Sequence, residues 1–323
     1  MKAIVYKGKG TPDGLALEQV RKPEARGHEV LIRVHAATVT ASDVGGMGLV
    51  RLSRPLRRFS AHPDLIPGVE FAGVVEKVGN QVRNYKAGDR VFGSAGTKFG
   101  AWAEYVCMPE DGVMALIPSN MPFDEAGGIC DGAITALHFL MNKANMEKGQ
   151  SVLINGAAGS VGSYAVQMAR YLQCSVTAVC SAGHARLVMS LGADRVIDYN
   201  KEDFTRDGQT YDIVFDAAAK RSYRQCKRSL KPKGIYLTTV PSPGILLSML
   251  LARIKGGKRA LFTASGLAKR GVKVKAVQEI RELMQAGKLT AIVDRSYPLE
   301  QISEALRYVG QGHKQGSVLL SAE

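Results

Sequence analysis

The stretch Ser151–Arg170, SVLINGAAGSVGSYAVQMAR, constrains the chain more than any other, because a strand, a glycine turn and the opening of a helix follow one another directly. Val152, Leu153 and Ile154 are the short apolar run of a strand buried in a parallel sheet, and Asn155-Gly156 end it with turn residues. Gly159 and Gly162 stand where the chain has to turn tightly, let a pyrophosphate approach bare backbone, and pack a helix closely on its strand. The free amides of that helix face the phosphates, so Gly156, Ala158, Gly159, Ser160, Val161 and Gly162 form the candidate cradle of a nucleotide. Val161, Ala165, Met168 and Ala169 recur at helical spacing and give the helix an apolar face to lay on the sheet. The plain alternative is an ordinary strand-to-helix turn in which glycine only supplies a positive φ. It loses force because Ser175–Cys180 reads as a second strand, Ala185–Leu191 as a second helical turn and Arg195–Asp198 as a third strand. Strand and helix units within about 30 residues of each other are how a doubly wound α/β sheet is written in sequence.

At 323 residues the chain has room for two domains, and with 46% apolar and 22% charged residues it has the make-up of a globular protein rather than a disordered one. The five cysteines, Cys107, Cys130, Cys174, Cys180 and Cys226, are scattered and never form a CxxC pair, which argues against a disulfide framework or a structural zinc knuckle. MKAIVYKGKG at the N-terminus reads as a strand and a turn, not a signal peptide, so a cytoplasmic location is expected. The net charge of +14 raises the question of nucleic acid, but the basic residues are spread over the chain and no nucleic-acid module is recognisable. An anionic cofactor accounts for part of it. The most apolar run, Ile245–Leu251, falls well short of the roughly 18 residues of a membrane span.

Residues 1 to about 120 are strand-rich, with Ala3–Tyr6, Glu29–Ala36, Phe71–Val78, Arg90–Gly93 and Ala103–Met108 separated by Gly, Pro, Asn and Asp turns. From about Asp124 to Ser265 helical and strand units alternate, with strands near Val152, Val176, Val196, Ile213, Tyr236 and Leu261. A helix over Val274–Ala286, a strand over Ala291–Arg295, a helix over Leu299–Val309 and a strand over Ser317–Leu320 close the chain, and this tail is expected to rejoin the first domain. The domain reading is 1–122 completed by 267–323, with a dinucleotide-binding domain at 123–266.

Taken with the opening MKAIVY, the segments PGVEFAG (Pro67–Gly73), AGDRVFG (Ala87–Gly93), AWAEYV (Ala101–Val106), ITALHFL (Ile134–Leu140), the glycine turn and LGADRVIDY (Leu191–Tyr199) give the chain a clear likeness. It resembles the medium-chain dehydrogenase/reductase superfamily, specifically the zinc-free quinone oxidoreductase branch, over nearly its whole length. The resemblance implies a GroES-like β-barrel catalytic domain, a Rossmann domain, an active site in the cleft between them, and a homodimer formed edge to edge through the Rossmann sheets. Ser160 stands where members often place another glycine. Alcohol-dehydrogenase relatives hold a catalytic zinc through Cys, His and Cys with a Glu next to the His; the matching positions here are Thr40, Val69 and Asp131, with Glu70 retained. Threonine and valine are not zinc ligands, and Asp131 alone cannot assemble the three-donor site that catalysis needs. Without a Lewis acid to lower an alcohol's pKa, reduction of an already polarised acceptor is the better reading.

NAD-selective folds place an Asp or Glu about 20 residues beyond the glycine motif. Here that place reads Cys180-Ser181-Ala182-Gly183-His184-Ala185-Arg186, with no acid. A carboxylate about 4 Å from a 2′-phosphate would repel it by roughly 4 kcal/mol per unit charge at an effective dielectric of about 20, close to a thousandfold in affinity. Ser181 offers a hydrogen bond and His184 and Arg186 positive charge, so NADPH is expected. The resemblance adds Tyr199 and Lys201, since the family's tyrosine lies against the adenosine phosphate; the plain alternatives are a solvated Arg186 and a packing Tyr199.

Thr38–Asp43, TVTASD, matches the family's active-site loop, where an asparagine often takes the place of Thr40. Thr40, Ser42 and Asp43 can orient a carbonyl or relay a proton; alternatively Ser42 or Asp43 caps a helix beginning near Val44. The resemblance puts Thr135 near the nicotinamide, against a helical threonine bonded to its own backbone. Val240 and Pro241–Gly244 end the fifth strand of the dinucleotide domain, at the strand ends where cofactors lie. The activity expected is zinc-independent hydride transfer from NADPH to a quinone or activated alkene, a small lipophilic substrate. The alternatives on the same scaffold are a zinc-free alcohol, aldehyde or enoyl-thioester reductase, or a non-catalytic NADPH-binding protein. Two basic and apolar segments stand apart. Leu49–Phe59 carries Arg51, Arg54, Arg57 and Arg58, and Gly244–Lys258 joins an apolar run to a basic cluster. Each either flanks the substrate, rests on an anionic membrane surface, or is a solvated or subunit-facing segment.

Overall fold

The structure, a computed structural model, describes residues 1–7, 14–45, 65–255, 257–263 and 268–322. The segment 49–59 lies outside the described residues. Two compact units form: Met1–Asp131 with Lys269–Gln285 and Ala291–Glu323, and Gly132–Ala268 with Ala286–Thr290.

The first unit opens with β1 (Lys2–Tyr6) and β2 (Leu15–Gln19), paired antiparallel. β3 (Glu29–Val39), β4 (Glu70–Val78), β5 (Arg90–Ser94), β6 (Tyr105–Pro109) and β7 (Val113–Leu116) follow, then the short helix Phe123–Gly127 and the start of helix Cys130–Leu137.

The second unit holds β8 (Ser151–Asn155), β9 (Ser175–Cys180), β10 (Arg195–Asp198), β11 (Tyr211–Asp216), β12 (Leu230–Thr238) and β13 (Arg259–Phe262). They form one six-stranded, all-parallel sheet in the order β10-β9-β8-β11-β12-β13, the doubly wound arrangement expected from the alternating units. VLIN, VTAVC and IVFD are buried over their length, as strands covered on both faces must be. Helices Ser160–Tyr171, Ala185–Ser190, Tyr223–Cys226 and Pro243–Lys255 make the crossovers.

The chain returns to the first unit with helix Arg270–Gln285, β14 (Val293–Pro298), helix Ile302–Gly310 and β15 (Ser317–Ser321). The sheet of this unit runs β14-β15-β3-β4-β5-β7, with β6 also paired to β3. Strand β3 is central to it. It extends three residues beyond the expected end at Ala36, because Ala36–Val39 pair with Ser321–Val318, a partner nearly 300 residues away in sequence that no local pattern announces. Strands β2 and β7 were absent from the sequence reading because, at five and four residues, they are too short to show a period. Ala103 makes a single bridge to Ala3, and the strand proper begins at Tyr105. Helix Arg270–Gln285 starts four residues before the expected Val274, the strand expected at Ala291–Arg295 falls at Val293–Pro298, and Leu299–Gln301 is a 3₁₀ turn leading into Ile302–Gly310. No helix among the described residues is long and apolar enough to cross a membrane.

Candidate functional site

In the second unit the carboxyl ends of β8, β9, β10 and β12 carry nearly all the residues singled out for the cofactor. The sheet order reverses between β8 and β11, so the crevice of a doubly wound fold opens at the end of β8. Gly156 takes φ +82°, and both its amide and that of Ala157 donate to Val179 O, at 3.0 and 3.1 Å, which ties the bend to the neighbouring strand. A Cβ at Gly156 would sit 2.8 Å from the Ala218 Cβ. Gly162 is closed in from the other side: a Cβ there would be 2.8 Å from the Ala157 Cα and would overlap the Gly156 carbonyl. Gly162 lets the helix lie against its strand, and Gly156 lets the loop after β11 close on the bend. Gly159 is different, with an ordinary φ of −77° as the residue before the helix and only the Gly156 oxygen, at 3.4 Å, in reach of a Cβ. Its value is the open space in front of bare backbone. The helix ladder opens with the Ser163 amide on Gly159 O at 2.9 Å, so the amides of Ser160, Val161 and Gly162 precede it. Ala158 is buried in the bend.

One strand over, Ser181 follows β9 and its Oγ lies 3.3 Å from His184 Nδ1. Arg186 is exposed on helix Ala185–Ser190. Tyr199, 48% exposed at the end of β10, donates its amide to Cys180 O at 3.2 Å, and Lys201 beside it is exposed. Val240 is exposed two residues beyond β12. Thr135 lies half-buried on helix Cys130–Leu137; one turn earlier on that helix, a Cβ at Gly132 would be 3.0 Å from Ser160 O, so this face packs on the start of the glycine-turn helix. Asp216 was missed by the sequence reading. Fully buried at the end of β11, it accepts from Asn155 Nδ2 at 2.7 Å, from the amides of Lys220 and Arg221 at 3.3 and 2.8 Å, and from the Tyr236 hydroxyl at 3.2 Å. It fastens the ends of β8, β11 and β12 to one another. The only local sign was an acid closing an apolar strand.

In the first unit Thr40 and Asp43 meet directly. The Thr40 amide donates to Asp43 Oδ2 at 2.8 Å, the Thr40 hydroxyl donates to the same oxygen at 2.7 Å, and the Asp43 amide reaches Thr40 Oγ1 at 3.3 Å. This is the reciprocal geometry of a capping box, with Thr40 as the cap of the helical residues 41–45 and Asp43 in the first turn. The expected cap at Ser42 or Asp43 before Val44 is therefore corrected: the helix begins earlier. Ser42 is exposed, its Oγ 2.7 Å from Thr40 Oγ1. Burial pushes the Asp43 carboxyl up to about 6 against the pull of its Thr40 bonds, with Asp131 adding to the rise.

Sheet register brings more ionisable groups here than the sequence reading found. Ala37 pairs with Phe71, Glu70 with Ser94 and Val39 with Val318, so the end of β3, the start of β4 and the approach to β15 share one corner. Glu70 is 3% exposed and accepts the Asp131 amide at 3.1 Å. Burial, then the Asp131 charge, raises its carboxyl well above the ordinary range, and burial raises Asp131 as well. Lys314, bonded to Gly316 O, is lowered to about 8 by burial, with Glu70 and Asp294 opposing. At the positions matching a zinc site, Thr40 is engaged with Asp43, and the described residues hold no cluster of three or more His, Cys, Asp or Glu placed to bind a metal.

A buried acid with a raised pKa keeps a proton that the unfolded chain releases once pH passes the ordinary carboxylate range near 4.5, so stability is expected to fall as pH rises from there. Glu70→Gln keeps an acceptor for the Asp131 amide and removes the ionisation. Its melting temperature relative to the natural chain is expected to climb by several degrees between pH 5 and 7.5. A difference that stays constant over that range would mean Glu70 ionises as freely in the folded chain as in water.

Fold and bend together define a dinucleotide-dependent oxidoreductase built from a β-rich unit and a doubly wound one. The alcohol dehydrogenase GroES-like domain matches residues 26–119, and the zinc-binding dehydrogenase domain matches 191–320. The chain is 31% identical to 2-methylene-furan-3-one reductase of Solanum lycopersicum over 335 residues, and 30% identical to the NADPH-dependent alkenal/one oxidoreductase, chloroplastic, of Arabidopsis thaliana over 332. Each alignment spans 99% of this chain and 79% of the relative. Among solved structures, the quinone oxidoreductase from Coxiella burnetii superposes with a TM-score of 0.85 at 27% identity, covering 100% of this chain and 99% of that one. The chain belongs to the medium-chain dehydrogenase/reductase superfamily, in its zinc-free quinone oxidoreductase-like branch.

Proposed function

We propose that the chain is an NADPH-dependent reductase of quinones and activated alkenes that works without a metal. The observation that carries this reading is the bend at 156–162: it opens at the switch point of a parallel sheet, presents unladdered amides, and adjoins a strand end with a base and no acid. Relatives bearing the names alkenal/one oxidoreductase and quinone oxidoreductase support the acceptor class. The residues fit the cofactor, since Gly159 leaves room for a phosphate against backbone and Gly156 and Gly162 admit no side chain.

When bound, NADPH supplies a hydride. The chain's part is to hold and orient. The amides of 160–162 take the diphosphate, Ser181, His184 and Arg186 the 2′-phosphate, Tyr199 and Lys201 the adenosine end, and Thr135 and Val240 the nicotinamide end. Thr40 offers its hydroxyl to the acceptor oxygen, where negative charge grows as hydride arrives. To reach the acceptor oxygen the Thr40 hydroxyl turns its one proton away from Asp43 Oδ2 while the Thr40 amide keeps its bond to that carboxyl, and solvent completes the protonation. The reading carries a homodimer joined edge to edge through β13, one of the two outer strands of the sheet, which a monomer in sedimentation equilibrium would exclude. It keeps the cytoplasm as the compartment, in line with five free cysteines.

The test is NADPH oxidation with quinones, enones and aldehydes supplied separately. Turnover confined to aldehydes or thioesters would replace the acceptor class, and tight NADPH binding with no turnover on any of them would mean a cofactor-binding protein. Thr40→Val is expected to cost about 1 kcal/mol of stability through the lost cap and at least about tenfold in kcat. A rate loss under about threefold would leave Thr40 as a cap alone, since an oxyanion donor is worth far more.

A further inference from the structure

Phe99 holds a backbone conformation that glycine alone enters freely. Its φ is +57° and its ψ −167°, at the end of the 3₁₀ turn Gly96–Lys98 that follows β5. Gly96 and Gly100 on either side also take positive φ, +55° and +111°, which a residue without a Cβ does at little cost. A phenylalanine between them is strained. Strain of this kind persists only where the surroundings over-determine it, and it gathers at ligand sites.

The surroundings do fix this turn. Before it, the Ala95 amide donates to Val69 O at 2.7 Å; after it, the amides of Gly100 and Trp102 donate to Pro67 O at 3.2 and 3.1 Å and that of Ala101 to Gly68 O at 3.2 Å. Trp102 is itself 1% exposed, and its Nε1 donates to Thr38 O at 2.8 Å. Core filling does not account for the phenylalanine, since Phe71 and Trp102 are the large rings of this core and Phe99 stays half-buried.

Both anchors lead to the corner of Thr40, Asp43, Glu70 and Asp131. Val69 directly precedes Glu70, Glu70 pairs with Ser94 at the end of β5, and Thr38 lies two residues before Thr40. The loop that carries Phe99 is thus pinned to the Glu70 segment at its start and, through Trp102, to the Thr40 segment at its end, all within the first unit. A fixed aromatic ring beside a hydroxyl that meets an acceptor oxygen suits a flat conjugated substrate: the hydroxyl sets the position of the oxygen and the ring sets the plane.

We propose that Phe99 is the aromatic wall on which the acceptor lies, and that it makes planar quinone rings preferred over open-chain enals. The inference rests on the reductase reading and deepens it to one acceptor class. Two stacked rings attract beyond the area they bury, and an open-chain enal offers neither the second ring nor the area.

Steady-state kinetics with naphthoquinone and with hexenal, together with thermal melts, test it on Phe99→Ala, Phe99→Gly and Phe99→Tyr. The natural chain is expected to favour the quinone at least about tenfold in kcat/KM. Phe99→Ala and Phe99→Gly are each expected to lose at least about tenfold on the quinone and less than about threefold on the enal, while Phe99→Tyr, which keeps a ring, stays within about threefold on both. Unchanged NADPH affinity in all three establishes that they fold. The melts report on the strain by itself: Phe99→Gly is expected to melt about 2 °C or more above Phe99→Ala, the reverse of the usual order of these two residues. Equal losses on quinone and enal overturn the proposal, because Phe99 would then act only by holding the loop. So do a quinone rate that survives Phe99→Ala and Phe99→Gly, a natural chain that prefers the enal, and a Phe99→Gly variant that melts below Phe99→Ala. Each of these leaves the reductase reading standing, whereas a natural chain that oxidises NADPH with neither acceptor defeats that reading and this inference with it.

Discussion

Gly162→Ala is expected to weaken NADPH binding at least a hundredfold, about 2.7 kcal/mol, and to lower the melting temperature with it. The methyl has nowhere to go. It would meet the Ala157 Cα and the Gly156 carbonyl carbon at 2.8 Å, both of them backbone. Gly156 cannot retreat, because its amide and that of Ala157 are held by Val179 O and its own φ of +82° has no relaxed alternative for this bend. The helix Ser160–Tyr171 must therefore lift away from β8, carrying the amides of 160–162 out of position. Gly159→Ala separates the two costs. Its methyl meets only the Gly156 oxygen at 3.4 Å and the residue already has a helix-compatible φ, so the fold is expected to tolerate it while the filled space in front of the backbone still weakens the cofactor. Isothermal titration and thermal melts on the pair decide the matter. If Gly162→Ala keeps natural affinity and stability, close helix-to-strand packing is not what shapes the cradle.

That bend was legible in the sequence because every part of it is local: an apolar strand, a turn dipeptide and glycines at fixed spacing within 20 residues. The parallel strands were legible for a related reason, since strands covered on both faces are written as unbroken apolar runs. The corner formed by Thr40, Asp43, Glu70, Asp131 and Lys314 was only half legible. Thr40 and Asp43 are three residues apart and their pairing follows from helix capping. The burial of Glu70 depends on registers such as Val39 with Val318 and Glu70 with Ser94, which join strands far apart in the chain, and Lys314 reads in sequence as a loop lysine. Asp216 illustrates the same limit. It is satisfied by Asn155, 61 residues earlier, and by amides in the turn that follows it, so only the folded sheet reveals why an acid closes that strand.

The natural chain is expected to bind NADPH at least tenfold more tightly than NADH, and Arg186→Ala to remove at least tenfold from NADPH affinity, about 1.4 kcal/mol, while NADH changes by less than twofold. The side chain is exposed one strand over from the glycine turn, beyond Ser181 and His184, whose 3.3 Å contact shapes the same strand end. Exposure limits the size of the effect: at physiological salt the screening length is about 8 Å, so a solvated guanidinium delivers well under the thousandfold that a buried charge would give. The acid nearby is Asp198, paired across from Cys180 at the end of β10, and it is occupied by the amide and side chain of Asn200, both at 3.1 Å. Its carboxylate is thus directed into its own turn, which leaves Arg186 to set the sign of the charge met by the 2′-phosphate. Arg186→Glu extends the test, because reversing the charge is expected to bring NADPH affinity below that of NADH. If either substitution weakens the two cofactors alike, Arg186 acts through the shape of its helix, and selectivity must come from Ser181 and the absence of an acid at the end of β9.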